Sequence, residues 1–418
     1  MTQINPLRPP LADPADILLA DVAIRIQLSR TDYDKAVQRY QTINAWIERD
    51  ESPLKGHVEL FYPQGSMAIE ATIASKLKTD EFDIDVVAQL DLPDNVSPWE
   101  PLDLLYEAIR GEPESRYYSK TKRRTRCVTV DYSDDMHLDV TPSLRMRGTP
   151  ERQSLIFHHR AEAPKEPSYQ LIANPYGFAE WFKDNTPLDY DFADIFEKHI
   201  EEYERMHILA EADSEPVPQQ EPPFRKSKAV IVLQLLKRWR NVQYDTRSGR
   251  RPPSIMIAKL VADAANHTDR LSEELLFQAQ HILSVFREHH DQGRLVHIIN
   301  PVCTEDVLTD RWPESRQDQA QFINDLGDLV QKVERLVAGC DLAKMQEIMV
   351  SLFGEFPAKE AVQAFNERTG NEIGHGRSQY DSQKGGLIIP ASMAGIAVAS
   401  GAQATPKHTF YGTERRKW

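Results

Sequence analysis

Cysteine is scarce. The 418 residues include three, Cys127, Cys303 and Cys340, with neither the pairing of a disulfide framework nor the spacing of a zinc site. They read as packing thiols of a cytosolic protein. Long apolar runs are missing too: no stretch of about 18 apolar residues occurs, which argues against a membrane-spanning helix. The opening MTQINPLRPPLADPADILLADV carries Asp and Pro where an export signal needs a basic and then an apolar stretch, so the expected location is the cytoplasm. Excess positive charge is absent as well, since 50 Lys and Arg face 64 Asp and Glu for a net −14. Such a chain is repelled by long duplex DNA or RNA, and no partner of that kind is expected. Glycine is thin until residue 370, after which the last 49 residues hold 8 of the 18.

What is present begins with a core. At 40% hydrophobic content the chain has ample material for two lobes. The most informative stretch runs from Gln64-Gly65-Ser66 to Phe82-Asp83-Ile84-Asp85-Val86-Val87. It reads as a Gly-Ser turn, a short helix over Ala68–Ser75, a charged loop over Lys76–Glu81 and a strand. Residues two apart on a strand share a face, so Asp83 and Asp85 project together while Ile84 and Val86 face a core. Two neighbouring carboxylates repel unless a cation sits between them, and hard divalent ions are the usual solution. The turn offers N–H groups and a hydroxyl to a phosphate. Phosphate grip and metal pair together point to nucleotide chemistry with magnesium.

A third carboxylate follows. RCVTVDY over Arg126–Tyr132 alternates as a strand, a turn follows at Ser133–Asp135, and alternation resumes at His137-Leu138-Asp139-Val140. Asp131 and Asp139 both sit between residues suited to a core, and alternation alone does not separate them. Ahead of them stand five cations in seven residues, Lys120 to Arg126. If the strand has begun there, Arg124 and Arg126 share a side and can hold nucleotide phosphate; otherwise they belong to a solvated basic loop.

The pattern Gly-Ser, then apolar-Asp-apolar-Asp, then apolar-Asp-apolar on a later strand resembles the DNA polymerase β-like nucleotidyltransferase superfamily. Within it the chain is similar to the cGAS/DncV-like nucleotidyltransferases of bacterial anti-phage (CBASS) signalling systems. Matching residues are Gly65-Ser66, Asp83, Asp85 and Asp139, and the resemblance is what favours Asp139 over Asp131. Val232–Arg240 (VLQLLKRWR) resembles the family helix whose Lys, here Lys237, reaches the triphosphate. Pro253–Leu260 resembles the next helix start, whose Ser, here Ser254, contacts the donor nucleotide. Where members often carry an aromatic residue after that Ser, this chain has Ile255.

The resemblance implies an α+β fold: a polymerase β-like core with a mixed sheet and a long N-terminal helix over residues 1–175, an oligoadenylate synthase-like helical lobe over 176–365, and a Gly-rich tail over 366–418. It implies two Mg²⁺ ions on Asp83, Asp85 and Asp139, with Mn²⁺ able to substitute. ATP, GTP or both would be substrates, and the product a cyclic di- or trinucleotide that activates a downstream effector, with a regulatory protein as a further partner. Two rivals stay open at this point: transfer of nucleotides to an RNA end or a protein, and a catalytically silent nucleotide-binding protein.

Further along, Pro14–Arg49 is helical with a break and N-cap at Ser29–Asp32. His158-His159 read as surface histidines, and Ala212–Pro223 as a flexible loop. Ser227 caps a helix apolar from Ala229 to Leu236, so Lys237 at its far end is either paired with an anion or snorkels outward. Helices are expected over Ser254–Ala265, Leu271–His289, Ser315–Gly339 and Asp341–Leu352.

Overall fold

Two hydrophobic cores organise the chain, one beneath a sheet and one among helices. The computed structural model describes residues 11, 13–74, 82–93, 95–134, 136–150, 152–163, 166–210, 225–265 and 268–374, with the short segments 379–381, 386–388 and 402–404. The elements in order are α1 (Pro14–Ile26), α2 (Arg30–Ile47), β1 (Val58–Pro63), α3 (Gly65–Ala68), β2 (Phe82–Leu90), α4 (Glu100–Arg110), β3 (Thr121–Arg123), β4 (Val128–Asp131), β5 (Met136–Arg145), β6 (Ser154–His158) and β7 (Tyr169–Ala173). Then come α5 (Pro175–Asn185), α6 (Tyr190–Ala210), α7 (Lys228–Tyr244), α8 (Ser254–Asp263), α9 (Leu271–Asp291), β8 (Ile299–Asn300), β9 (Cys303–Val307), α10 (Arg316–Ala338), α11 (Leu342–Phe353) and α12 (Glu355–Gly374). Three short strands, β10 (Gln379–Asp381), β11 (Gly386–Ile388) and β12 (Ala402–Ala404), pair with one another. The flexible loop read over Ala212–Pro223 and the charged loop over Lys76–Glu81 lie outside the described residues.

The main sheet is mixed, as expected. Its order is β1-β2-β5-β4-β3, with β6 also on β5 and β7 on β6. Only β2 and β5 run parallel within it. One face carries Ile84, Val86, Leu138, Val140 and Phe157, packed against Ala36, Ile43 and Ile47 of α2 and Leu102, Leu105 and Ile109 of α4. The other face is left for function.

The N-terminal helix divides at the predicted break. Ser29 caps α2, its hydroxyl accepting from Asp32 N at 3.1 Å. The two halves join different cores. α2 is one-sided and lies on the sheet, whereas α1 (PADILLADVAIRI) is apolar nearly all round and is buried in the helical core with α7, α9 and α12. A helix apolar on every side cannot sit on a surface; hence there is no single helix along the back of the sheet. At the far end, α12 continues to Gly374, into the stretch read as tail.

Burying α1 buries its charges. Asp21, 1% exposed, accepts from Arg25 Nη1 at 3.4 Å and Arg368 Nη1 at 3.2 Å, pairs with Arg368 Nη2, and faces His199 Nε2 at 3.2 Å. Burial alone would raise its pKa, but His199 and Arg368 outweigh burial and hold the carboxyl below the usual range. Its stabilisation is therefore complete above the unfolded pKa of about 3.9 and fades as pH falls through the lower folded value. Asp21→Asn leaves Arg25 and Arg368 uncompensated, an expected loss of about 3–5 kcal/mol at pH 7 by urea denaturation. The gap to the wild type should shrink below about pH 4; a gap that widened there would contradict this account.

Candidate active site

The carboxylates come from the pleat of two parallel neighbours. Along β2, Ile84 and Val86 are fully buried while Asp83 and Asp85 turn to the open face; along β5, Leu138 and Val140 are fully buried and Asp139 turns out. The β2–β5 register sets Asp85 beside Asp139 and Asp83 beside His137. Asp131, the rival, stands on β4 opposite His137 and bonds Lys122 Nζ at 2.5 Å and His137 Nδ1 at 2.8 Å. Its charge already has partners. Asp139 is the residue that register brings to Asp83 and Asp85.

The Gly-Ser turn is fastened to the same strand. Gln64 N donates to Asp85 O at 2.9 Å, and the Gln64 side-chain amide donates to Thr141 Oγ1 at 3.2 Å. Gly65 has φ +58°, and a Cβ there would lie 2.7 Å from Asp85 Oδ2. Glycine is required twice over, by backbone conformation and by the approach of the carboxylate. The helix after the turn is shorter than the predicted Ala68–Ser75: it is the single turn Gly65–Ala68, ended by Glu70 at φ +58°. Ala71–Ala74 then runs irregularly, held by Ala71 N donating to Ser66 O at 2.9 Å and Ala74 N to Ile26 O at 2.7 Å.

The facing wall is α7. Lys237 is 6% exposed and does not snorkel; its Nζ donates to Ala71 O at 2.7 Å. One turn earlier, Gln234 Nε2 donates to Thr72 O at 2.8 Å. Burial, then the Arg240 guanidinium, push the Lys237 pKa down to about 7, with Asp85 and Asp83 pulling it back. On the other side, burial, then Asp139 and Asp83, push Asp85 up to about 7. Between these walls lies a cavity of about 260 Å³ lined by Gly65, Ser66, Asp83, Asp85, Lys237 and Ser254 among others.

Several lining residues were not singled out by sequence. Arg240, Asn241 and Arg251 reach the same cavity. Arg240 Nη1 donates to Ser254 Oγ at 2.6 Å and to Pro252 O at 2.8 Å, which ties the start of α8 to α7. The signal was available: Arg240 stands three residues beyond Lys237, on the same helix face. Ile255 gives this wall an aliphatic surface.

The two predicted phosphate arginines part company. The strand starts at Val128, and Arg124 N donates to Cys127 O at 2.9 Å, so both arginines lie in the turn that precedes it. Arg124 Nε donates at 3.3 Å to Thr129 Oγ1, which donates to Asp139 Oδ1 at 2.5 Å. Arg126 instead pairs with Asp310 at 2.6 Å and reaches His158. Neither is among the residues lining the cavity. His158 and His159 are partly buried rather than on the surface. Burial and the Asp139 and Asp85 charges push the Cys127 thiol far up, so it stays protonated and is no nucleophile.

The donor set suits a hard dication. Three carboxylates share one face, and burial together with the Asp139 and Asp83 charges raises the Asp85 pKa, a cost that a bound cation would relieve. Among the described residues no three His, Cys, Asp or Glu side chains, these three included, are already drawn together as a metal-holding group. A Cβ at residue 65 would occupy the space beside Asp85 Oδ2. Gly65→Ala is therefore expected to weaken Mn²⁺ binding at least tenfold by electron paramagnetic resonance while the protein stays folded, and unchanged Mn²⁺ affinity would remove the role given to this glycine.

A family model described as Second Messenger Oligonucleotide or Dinucleotide Synthetase domain matches residues 18–184. The chain is 38% identical over 410 residues to the cyclic dinucleotide synthase CdnG of Bradyrhizobium diazoefficiens, covering 97% of this chain and 96% of that protein. It is 26% identical over 407 residues to a c-di-GMP synthase of Roseivirga ehrenbergii, covering 94% and 96%. The structure of the Bradyrhizobium CdnG with GTP superposes with a TM-score of 0.74 at 37% identity, over 85% of this chain and all of that one. An Escherichia coli CdnC with ATP shares the fold alone, at TM-score 0.54 and 17% identity over 81% and 98% of the chains. Similarity at this level, sustained across almost the whole sequence, means that the chain belongs to the cGAS/DncV-like nucleotidyltransferases and is an enzyme of that class.

Proposed function

We propose that this nucleotidyltransferase joins two nucleoside triphosphates, releases two pyrophosphates and closes the product into a cyclic dinucleotide. The observation that carries the reading is the register placing Asp85 beside Asp139 on parallel strands, with Gly65-Ser66 and Lys237 lining the cavity at Asp83 and Asp85. The relatives support the product class, one being named a cyclic dinucleotide synthase and the other a c-di-GMP synthase.

The chain's own groups divide the work. Asp83, Asp85 and Asp139 would hold two Mg²⁺ ions, or Mn²⁺ in their place. Bound there, the ions neutralise the triphosphate and lower the pKa of an acceptor sugar hydroxyl. Ser66 and the N–H groups of its turn donate to the phosphates. Lys237, desolvated and one residue's reach from the carboxylates, recovers its full charge against a triphosphate. Ser254, oriented by Arg240, contacts the donor nucleotide. The acceptor hydroxyl attacks the α-phosphate in line, the bond to the β-phosphate breaks, and pyrophosphate leaves. Thr129, held by Arg124, donates to Asp139 and fixes its carboxylate.

The wider role follows the family: a cytoplasmic enzyme of anti-phage signalling whose product activates an effector, with a regulatory protein partner. A CdnC relative is known in complex with a HORMA protein. No helix among the described residues is long and apolar enough to cross a membrane.

The test is incubation with all four NTPs and Mg²⁺, phosphatase treatment and mass spectrometry. A phosphatase-resistant cyclic dinucleotide is expected, and Asp83→Ala/Asp85→Ala should make none. Near-normal turnover in that variant would overturn the mechanism, and nucleotides added instead to RNA or protein would overturn the product. Lys237→Ala is expected to raise KM for NTP about tenfold or more, the worth of a hydrogen bond to a charged group. Its kcat should change less.

A further inference from the structure

The open face of the sheet does not end at Asp139. Beyond it the β5–β6 register pairs Ser143 with Ile156 and Arg145 with Ser154. There β6 leaves β5, whose edge at Asp139 and Val140 is taken by β4, and its end passes the turn before β4, His159 N donating to Thr125 O at 3.0 Å; His158, two residues beyond Ile156, keeps to the face that bears Asp139. The β6–β7 register sets Tyr169 beside His158. Phe157, the residue before His158, faces the opposite core. From that same turn before β4 Arg126 reaches His158, while Arg124 reaches Thr129, the hydroxyl that donates to Asp139.

The residues gathered there form a cluster that the donor cavity does not use. The His158 and Tyr169 rings stack at 4.4 Å between centroids, inclined by 9°. Tyr169 remains 40% exposed, which leaves ring surface open. His158 Nδ1 accepts from Arg126 Nε at 3.3 Å and from Arg311 Nη2 at 3.3 Å. With both guanidiniums donating to it, the imidazole is neutral and carries its proton on Nε2. Burial and these two arginines hold its pKa below the usual value. Arg126 is paired with Asp310, but Arg311, partly buried, has no carboxylate partner among the described residues. Burial and the neighbouring Arg126 depress Arg311 in turn. A half-desolvated guanidinium with unspent donors is costly unless a ligand takes them.

The cluster is continuous with the donor cavity. Arg250 Nη1 donates to Arg311 O at 3.5 Å, and the next residue, Arg251, lines the cavity. One nucleotide bound in the cavity and a second lying along Asp139, Thr141 and His158 would be neighbours.

We propose that Tyr169, His158, Arg126 and Arg311 hold the base of the acceptor nucleotide and favour guanine over adenine. This assignment rests on the nucleotidyltransferase reading above, in which the acceptor sugar meets Asp139. The base stacks on the exposed Tyr169 ring, as bases do on aromatic platforms. Arg311 then presents donors only. Guanine offers O6 and N7, both acceptors, whereas adenine offers N7 beside an N6 amino group that is itself a donor. Donor against donor disfavours adenine.

The test is titration of the full-length chain, with Mg²⁺, by nonhydrolysable GTP, ITP and ATP analogues. Two GTP-analogue sites per chain are expected. Arg311→Ala should weaken one of them about tenfold and leave the other alone, the scale of one good base contact. The inosine analogue, which keeps O6 and N7, should follow guanosine, and the adenosine analogue should change by less than about threefold. Tyr169→Ala should weaken the same site for all three, with an unchanged thermal midpoint showing that the fold is intact. Lys237→Ala should weaken the other site instead. Unchanged binding in both Arg311→Ala and Tyr169→Ala, or equal loss of guanine and adenine in Arg311→Ala, overturns the assignment while leaving the nucleotidyltransferase reading in place. A wild-type chain that binds none of the analogues overturns both.

Discussion

Three carboxylates held side by side against a hydrophobic sheet are the constraint on which the rest of the structure depends. Asp85 and Asp139 are flanked in sequence on both sides, and Asp83 on its C-terminal side, by residues that the core consumes, so the strands cannot turn to separate the charges without exposing Ile84, Val86, Leu138 and Val140. Burial of those side chains contributes several kcal/mol in sum, more than enough to hold the repulsion in place. Burial first, and then the charges of Asp139 and Asp83, raise the pKa of Asp85. A protein that stores such repulsion without a cation to relieve it loses stability for nothing, which is why the cluster is read as a metal and phosphate site rather than a surface accident.

The helical core supplies what the sheet lacks, namely positive charge in a dry place. α7 is buried along nearly its whole length, and that burial brings Lys237 to the cavity with its nitrogen on the Ala71 carbonyl instead of in water. The opposed shifts of Lys237 and Asp85 have a common origin. Both groups are desolvated, and each sits among like charges, Arg240 for the lysine and Asp139 and Asp83 for the carboxylate. On the proposed reading a nucleotide triphosphate with its cations would satisfy both sides at once, so that ligand binding and relief of strain would be the same event.

What sequence could reveal follows from range. The period of two along a strand was enough to place Asp83 and Asp85 on one face, the family resemblance picked out Asp139, and amphipathic helices such as α9 and α10 fell within a few residues of their predicted limits. Interactions that depend on which strand lies beside which were out of reach. Alternation treats Asp131 and Asp139 alike, and only the β2–β5 register, with Lys122 and His137 on Asp131, separates them. The fate of Arg126 was equally hidden, because its partner Asp310 lies 184 positions away. The short α3 was misjudged for a local reason: Glu70 adopts a positive φ and ends the helix after one turn, although Ala68–Ser75 contains no glycine or proline.

The same distinction explains how one sheet face can hold two unlike ligand environments. The donor side is built from contacts between lobes, where α7 and the start of α8 face the Gly-Ser turn. The side beyond Asp139 is built mostly within the sheet, from β6 and β7, and receives Arg311 and Asp310 from the segment after β9. On the proposed reading the donor side serves phosphate and metal, which every nucleotide shares. The far side touches the part of the acceptor that differs between nucleotides. Substitutions at Tyr169, His158 or Arg311 can therefore alter which base is joined without disturbing the carboxylates, because no hydrogen bond of theirs passes through Asp139 or Lys237.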